Sequence, residues 1–564
     1  MKTRHARDER AGTAPAQDAV HPPADLLERV TREERVVEAL PGGGVLHLDR
    51  RLPYLLVYRT PDRVGDAGTA RLVRAEASYA IVNGEDVATF IPVLRAIVKA
   101  GSNAFGAFLL LELWCGGDGS REFRIHCPRG EGAETVDELA ERLRGLAVEG
   151  IATEVVVEST RERHPTGEEP LLSPVECKEL ACLSLGLEVP PLYRDADGAV
   201  YPVFFRAFRR GLSRVLRQAI HEFARIQTTA GIENYRMLGP SRIDADALAA
   251  DRELGEIEET FSFLLLVSPV NEKEALAEFQ NGGYEREPAL HYRLLPVDPD
   301  LLKRRLFEIP IEQIEDPAMG YLLRDKREEL DRQISMLGAR GTADFRLCSL
   351  RLYGQLDEPL LHAAQAILGT VPRGAERAGD ASPVEAPMFA RRARIEIERY
   401  RGIHPAVAST VSILDDLVGL MVSRGNLLIG QALRLRADRV EPLIHHEVGT
   451  HVLTFCNGAA QPLRQLRYGL ADYDELQEGL AVLAEYLVDG LSRARLRLLA
   501  ARVVAVHAML EGASFVDTFR LVRGEHGFSP SAAFSVTTRV HQGGGFTRDM
   551  IYLRGLIRLM AYLE

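Results

Sequence analysis

Residues 445–451 read HHEVGTH and lie in the middle of a segment, residues 440–455, whose apolar positions have the spacing of an α-helix. Within this motif, His446 and His451 are five positions apart. Five residues of a regular α-helix turn the chain by about 500°, so the two side chains would point about 140° apart. A π-bulge, which adds one residue to a turn, would bring positions i and i+5 onto one face. Gly449 is the predicted place for the bulge, because glycine weakens a regular helix.

Two histidines on one helix face are typical of a zinc site, for which the familiar spelling is HExxH. The sequence departs from that spelling because position 450 is threonine, so a zinc site here needs both the bulge and a third ligand. The next predicted helix carries Glu478 on its first turns and Glu485 seven residues later on the same face. We predict that His446, His451 and Glu478 ligate Zn²⁺, with Glu485 as the second choice for the third position.

Two histidines and one glutamate leave a fourth coordination position for water, which is typical of catalytic zinc. The alternative is a helix whose histidines cluster by chance, since the chain contains 15 of them.

The composition indicates a folded chain with several domains. The chain has 564 residues, a net charge of -12 and 46% hydrophobic residues, which excludes a wholly disordered or fibrous protein. Net acidity argues against a general nucleic-acid binder. The six cysteines are scattered without a CxxC pair, which favours a reducing compartment. No apolar run reaches the roughly 18 residues of a membrane span. We therefore predict a cytoplasmic protein with neither nucleic acid nor membrane as a partner.

The chain is predicted to divide into a tail and two folded regions. Residues 1–23 are charged and lack the apolar core of a signal peptide, which predicts a disordered tail. Residues 24–240 form an α/β region whose elements between residues 78 and 158 follow the order β-α-β-β-α-β of a ferredoxin-like fold. Glycine, asparagine and proline near its end mark a boundary, and residues 241–564 carry the histidine helix.

Several motifs accompany HHEVGTH in the second region. They are Asn457, Gln461-Pro462, Tyr468-Gly469-Leu470 and Gln477-Glu478-Gly479-Leu480-Ala481. Together they resemble the tyrosine metallocarboxypeptidases, HExxxH zinc enzymes that remove the C-terminal tyrosine of α-tubulin in animals. The QEGLA spelling resembles that of their bacterial relatives, the "flavohemoglobin expression-modulating QEGLA motif" proteins. The resemblance covers approximately residues 243–564.

This resemblance implies an α+β protein in which a zincin-like, helical metallopeptidase domain with a small sheet follows the α/β region. It implies that His446, His451 and Glu478 bind zinc and that Glu447 is the catalytic carboxylate. The sequence has Leu463 and Arg548 where the animal pattern has tryptophan and lysine, so tubulin specificity is not implied.

A carboxypeptidase acting on a peptide or protein C-terminus needs further groups, which the sequence can supply. Glu447, beside His446, can accept a proton from water and pass it to the leaving amine. Arg539 and Arg548 are the predicted partners of the substrate's terminal carboxylate, because arginine binds carboxylates through two hydrogen bonds. Tyr552 could donate to a developing oxyanion, and a strand at residues 427–435 could offer a free edge to an extended peptide.

The alternative from another functional class is a regulatory or binding protein that keeps the metallopeptidase fold without catalysis. Retention of Glu447 favours the enzyme, since a structural zinc has no need of a carboxylate beside its ligand.

Overall fold

The computed structural model describes residues 26–32, 34–40, 43–60, 67–84, 87–117, 119–151, 153–373 and 383–564. The predicted tail at residues 1–23 lies outside these described residues. The chain forms two compact units. The first comprises the residues up to Asp244 together with Glu315–Ala318, and the second comprises Ala245–Ile314 and Met319–Glu564. Both units contain helices and strands, so the protein is of mixed α/β type, consistent with the predicted α+β class.

The first unit is built around one large sheet. Its strands are β1 (Val36–Ala39), β2 (Val45–Leu48), β3 (Tyr54–Thr60), β4 (Ser78–Asn83), β5 (Phe108–Cys115), β6 (Glu122–Cys127), β7 (Glu154–Ser159) and β8 (Cys182–Val189). Its helices are α1 (Leu26–Thr31), α2 (Ala67–Val73), α3 (Val87–Phe105), α4 (Ala133–Arg144), α5 (Pro174–Glu179) and α6 (Pro202–Gln227). The strands follow the order β1-β2-β4-β3-β5-β8-β6-β7, and the pairs from β4 through β3 and β5 to β8 are parallel.

Helices cover both faces of this sheet, as the packing of β3 illustrates. Its alternate residues point to opposite faces, as the geometry of a strand requires. Tyr54 and Leu56 belong to an apolar cluster with Phe208 of α6, whereas Leu55 belongs to a second cluster with Phe90 of α3. A strand buried on both faces is a nearly continuous apolar run, which is typical of parallel sheets flanked by helices.

The ferredoxin-like arrangement predicted for residues 78–158 is wrong. The predicted elements exist in the predicted order, as β4, α3, β5, β6, α4 and β7. However, β3 lies between β4 and β5, and β8 lies between β5 and β6, so the elements belong to a sheet of eight strands. Strand order depends on pairing between distant segments, which local periodicity does not encode.

The second unit is mainly helical. Its helices are α7 (Ala245–Glu258), α8 (Phe263–Val267), α9 (Glu272–Asn281), α10 (Pro299–Glu308), α11 (Pro317–Gly338, which begins in the first unit), α12 (Asp344–Tyr353), α13 (Glu358–Thr370), α14 (Ala386–Ile403), α15 (Val440–His446), α16 (Leu453–Ala459), α17 (Gln465–Tyr468), α18 (Tyr473–Leu487), α19 (Arg493–Leu510), α20 (Phe515–Arg520), α21 (Pro530–His541) and α22 (Ile551–Leu563). Its strands are β9 (Val384–Glu385), β10 (Val411–Leu414), β11 (Leu420–Ser423), β12 (Asn426–Gly430) and β13 (Arg434–Leu435). None of the helices in the described ranges is both long enough and apolar enough to span a bilayer.

A three-stranded sheet supports the histidine helix. Its order is β10-β12-β11, with β12 paired in parallel to β10 and antiparallel to β11. Leu427 and Ile429 of β12 pack in one buried cluster with Ile444, Val448 and Val452, which repeat every four residues along the helix. The histidine helix is therefore anchored on the sheet through its apolar stripe.

The predicted strand at residues 427–435 is wrong in two respects. The segment is divided between β12 and β13, and β12 is the central strand of its sheet. A central strand already has partners on both sides, so it offers no free edge. Among the described residues, the unpaired edges of this sheet belong instead to β10 and β11.

Candidate metal centre

The helix that carries HHEVGTH contains the predicted expansion. It runs as α15, then as a π-helix over Glu447–Val452, and then as α16. The predicted π-bulge is thereby confirmed, and the rings of His446 and His451 are brought to a centroid distance of 5.0 Å. The hydroxyl of Thr450 donates to the carbonyl oxygen of His445 at 3.0 Å. The threonine that departs from the HExxH spelling thus satisfies a backbone acceptor inside the expanded turn.

Gly449 lies in the π-helix, as predicted. A Cβ added there would have its nearest neighbour, Nδ1 of His445, at 3.5 Å, which is ordinary van der Waals contact. Space alone therefore does not require glycine at this position, and its contribution is the weaker helical preference.

Glu478 is brought to the two histidines by α18. Its Oε2 lies 3.6 Å from Nε2 of His446 and 3.7 Å from Nε2 of His451. The three potential ligand atoms lie within 4.8 Å of one another. Oε2 of Glu478 is buried and has no hydrogen-bond partner among the described residues. A buried carboxylate oxygen without a donor is costly, and a metal ion between these three side chains would satisfy it. The three residues could therefore hold a metal ion.

A glycine of the QEGLA motif determines how closely Glu478 is held. A Cβ on Gly479 would lie 2.5 Å from the backbone carbon of Gly555 in α22, and a Cβ on Gly555 would lie 2.1 Å from the carbonyl oxygen of Glu475. The backbones of α18 and α22 therefore touch, which only glycine permits on both sides. This contact brings the segment before α22, and Arg548 within it, next to Glu478.

Arg548 is paired with Glu478 rather than free in the cavity. Its Nη2 donates to Oε1 of Glu478 at 2.7 Å, and its Nη1 donates to the hydroxyl of Tyr552 at 3.2 Å. The guanidinium therefore occupies one carboxylate oxygen and leaves the other for the space between the histidines.

Glu485, the second choice for the third ligand, lies outside the ligand cluster. Its Oε1 accepts a hydrogen bond from Nδ1 of His446 at 2.9 Å. The helical phase correctly indicates that Glu485 shares the face of Glu478. However, Glu485 contacts Nδ1 of His446, whereas Glu478 lies near Nε2 of the same ring. Gln477 has the corresponding place at His451, with its Nε2 at 2.9 Å from Nδ1.

The surroundings of the cluster shift the pKa values of its two histidines in opposite directions. Burial alone would lower the pKa of His446, but the neighbouring carboxylates of Glu478 and Glu485 raise it to about 9. Burial lowers the pKa of His451 to about 4, because no carboxylate is hydrogen-bonded to it. Burial opposes ionisation of Glu478, yet Arg548 and the two histidines hold its pKa well below the usual range.

Glu447, the predicted catalytic carboxylate, follows His446 and lines the same cavity. It is 8% exposed. Burial raises its pKa to about 7, with His446 opposing that shift. A carboxyl group that titrates near neutrality is suited to accepting and returning a proton.

The three predicted substrate-binding residues all line this cavity, which has a volume of about 250 Å³. Arg539 forms two hydrogen bonds of 2.6 Å with Asp549, and its side chain remains 37% exposed. Tyr552 is 8% exposed. The lining also includes residues of β11, the rings of Phe455, Tyr468 and Tyr473, and the side chains of Arg424 and Arg467.

Sequence reasoning missed the groups that hold these residues in place. Asp549 accepts hydrogen bonds from Arg539. Glu485 accepts hydrogen bonds from Arg439 and Arg495 as well as from His446. The sequence shows that Glu485 follows Glu478 by two helical turns. No local pattern predicts that Arg439 and Arg495 are its partners.

The fold and the cluster define a class: a mixed α/β protein with a buried two-histidine, one-glutamate group that could hold a metal ion. A family model described as "Microtubule-associated tyrosine carboxypeptidase" matches residues 277–564, just over half of the chain. The chain belongs to this family, so the resemblance to tyrosine metallocarboxypeptidases is confirmed. No curated protein and no solved structure matches the chain.

Proposed function

We propose that the protein is a zinc-dependent carboxypeptidase, with a zincin-like catalytic unit, that removes a residue from the C-terminus of a peptide or protein. The observation that carries this proposal is the buried Oε2 of Glu478, which faces Nε2 of both His446 and His451 and finds no hydrogen-bond partner in the part of the chain that the structure describes. Membership of a carboxypeptidase family supports the reaction class.

The donor set fits zinc. Two imidazole nitrogens and one carboxylate oxygen are ligands of catalytic zinc sites, in which one further position stays open. His446, His451 and Glu478 would hold the ion. When bound, zinc supplies Lewis acidity, which polarises a scissile carbonyl and makes a water molecule more acidic.

Glu447 is the proposed general base and acid. Its carboxylate lies beside the ligand cluster in the same cavity, and burial raises its pKa to about 7. In the proposed reaction it accepts a proton from the attacking water and returns it to the departing amine. Burial excludes competing bulk water from this carboxylate, which favours a directed proton transfer.

The cavity also provides a place for an extended peptide. The edge strand β11 contributes Leu420, Met421 and Val422 to its wall. The unpaired backbone groups of such a strand can add a peptide as one more strand. This would leave the peptide's last residue between β11 and the aromatic rings of Phe455 and Tyr468.

Arg539 is the better of the two predicted partners for the terminal carboxylate. Arg548 is 9% exposed and donates to Glu478, whereas the side chain of Arg539 keeps 37% of its surface exposed despite its pairing with Asp549. We therefore assign substrate binding to Arg539 and orientation of Glu478 to Arg548. Tyr552, whose hydroxyl accepts from Arg548, is the proposed donor to the developing oxyanion.

A peptide library that varies the last residue tests the proposal. The zinc-loaded protein is expected to remove a single C-terminal residue, detected as the corresponding mass loss, from peptides with a free carboxylate. The same peptides with an amidated C-terminus are the matched substrates that should resist cleavage. Glu447→Gln is expected to be inactive towards both.

Absence of cleavage in the whole library by a protein that holds zinc would contradict the enzyme and favour the non-catalytic regulator. Cleavage of amidated and free peptides at equal rates would indicate a peptidase of another kind.

A further inference from the structure

Glu485 is the most deeply buried carboxylate near the centre, with a side chain that is 0% exposed. It accepts from Nδ1 of His446 at 2.9 Å, from Nη2 of Arg439 at 2.7 Å, and from Nε and Nη2 of Arg495 at 3.1 and 2.7 Å. Arg439 precedes α15 and Arg495 lies in α19, so two separate parts of the fold hold this carboxylate. Two arginines offset its charge, and their hydrogen bonds fix its position against His446.

This arrangement determines which nitrogen of His446 faces the cluster. A carboxylate oxygen can only accept, so Nδ1 of His446 carries the proton in its hydrogen bond with Glu485. Nε2, which lies 3.6 Å from Oε2 of Glu478, is then the nitrogen that would offer its lone pair to a metal ion. A charged acceptor behind an imidazole also increases the basicity of the nitrogen in front, which strengthens a metal–ligand bond.

His451 has a neutral partner in the same place. Nε2 of Gln477 lies 2.9 Å from Nδ1 of His451, while none of the described residues offers a hydrogen bond to the buried Oε1 of Gln477. In that orientation the amide donates to Nδ1, which leaves the ring proton on Nε2. Coordination through Nε2 requires the reverse, with Nδ1 donating to the amide oxygen. A half-turn of the amide provides this and also satisfies the unpartnered oxygen.

We propose that Glu485 is a positioning residue that makes His446 the stronger histidine ligand and thereby sets the metal affinity of the centre, while the neutral amide of Gln477 leaves His451 the weaker one. This inference rests on the proposed function, since it requires these residues to bind zinc.

The test compares zinc dissociation constants, measured by competition with a coloured chelator, for the full-length wild type and three variants. Glu485→Gln is expected to bind zinc about 10–100-fold more weakly. Gln477→Glu, the reverse exchange, gives His451 a carboxylate partner and is expected to bind more tightly. Glu441→Gln is the matched control, because Glu441 also pairs with an arginine, Arg392 at 2.6 Å, but its side chain is 51% exposed and contacts no ligand.

A spectroscopic measurement separates positioning from a general loss of structure. Co²⁺ in place of zinc has visible absorption bands that depend on ligand geometry, and these are expected to shift in Glu485→Gln but not in Glu441→Gln. If Glu485→Gln does not fold, Arg495→Lys keeps the positive charge but loses the two-pronged hydrogen bond. That variant is expected to show a smaller loss of affinity in the same direction.

The outcomes distinguish this inference from the proposed function. A wild-type protein that binds no zinc would contradict the proposed function itself. A wild type that binds zinc, together with unchanged affinity and unchanged cobalt bands in the Glu485 or Arg495 variant, would overturn only the role of Glu485. Weaker zinc binding by Gln477→Glu would overturn the ranking of the two histidines.

Discussion

The two units of the molecule each contain a buried arginine–glutamate pair, and only one of them lies at a candidate functional site. In the first unit, Nε of Arg59 donates to Glu112 at 2.6 Å, and the two side chains are 3% and 4% exposed. In the second unit, Nη2 of Arg548 donates to Glu478 at 2.7 Å, with side chains 9% and 6% exposed. The pairs are nearly equal in distance and burial, so their difference arises from what surrounds them.

Burial raises the pKa of Glu112 to about 7, although Arg59 opposes the shift. At Glu478 burial has the same tendency, but Arg548 and the two histidines prevail and hold the pKa well below the usual range. Arg59 donates hydrogen bonds to Glu112, to Glu168 and to the carbonyl oxygen of Glu169. Such a set of contacts is expected for a pair that stabilises the fold. A buried pair becomes a candidate metal site when further ligand atoms face the same carboxylate.

Removing each arginine should separate the two pairs most clearly. Arg59→Met leaves Glu112 buried without a cation, which is expected to reduce the free energy of unfolding by about 3–5 kcal/mol without changing metal content. Arg548→Met should instead weaken zinc binding about 10–100-fold, because Arg548 would no longer orient the proposed ligand Glu478. Denaturant unfolding and chelator competition, applied to both variants, measure the two effects. Equal effects of both substitutions on zinc binding would show that the pairs do not differ as described.

The pH dependence of stability sharpens the same comparison. The folded-state pKa of Glu112, about 7, is above its ordinary value of 4.5. Its favourable contribution is therefore present below pH 4.5 and is lost as the pH rises through 7. Relative to Glu112→Gln, the wild type should lose on the order of 3 kcal/mol of unfolding free energy across this interval.

In the metal-free protein, the contribution of Glu478 to stability changes with pH in the opposite direction, because its folded-state pKa is lowered. Its contribution is present above the ordinary pKa and is lost as the pH falls below it. Chemical denaturation across this pH range, with Glu112→Gln as the reference, checks the first unit. A wild type that gained stability over Glu112→Gln as the pH rose from 4.5 to 7 would contradict the assignment.

A third pair, Arg539 with Asp549, lies between these two cases because Arg539 is both paired and partly exposed. Arg539→Lys keeps the charge but loses the planar fork, so the KM for peptides with a free C-terminus is expected to rise about tenfold while kcat changes little. Arg467→Lys is the control, since Arg467 also lines the cavity and pairs with Glu259. A larger increase in KM for Arg467→Lys than for Arg539→Lys would assign binding of the terminal carboxylate to Arg467 instead.

The sequence permits prediction of the parts of the centre that repeat along a helix. Five-residue spacing between His446 and His451 requires an expanded turn if both are to face one ion, and the π-helix is present. Helical phase also places Glu478 and Glu485 on one face of α18, but it cannot tell which carboxylate lies in front of the histidines. That choice depends on Arg548, Arg439 and Arg495, which come from other elements.

The fold shows the same limit. Local patterns identify β4, β5, β6 and β7 with their helices, but not the insertion of β3 and β8 between them. In the second unit, the apolar run at residues 427–435 predicts one strand with a free edge, but its first part belongs to β12. β12 is the central strand of its sheet, and the edges are β10 and β11, whose residues are mostly only half-buried. Pairing between distant segments decides both cases.

The metal content of the purified protein tests the proposed centre most directly. We expect about one zinc ion per chain in the wild type and in the inactive Glu447→Gln variant, because Glu447 is not a ligand. We expect the zinc to be lost in His451→Ala, which removes a ligand without touching Glu447. Elemental analysis after dialysis measures all three. A wild type without stoichiometric zinc, or a His451→Ala protein that retains it, would contradict a metal centre formed by His446, His451 and Glu478.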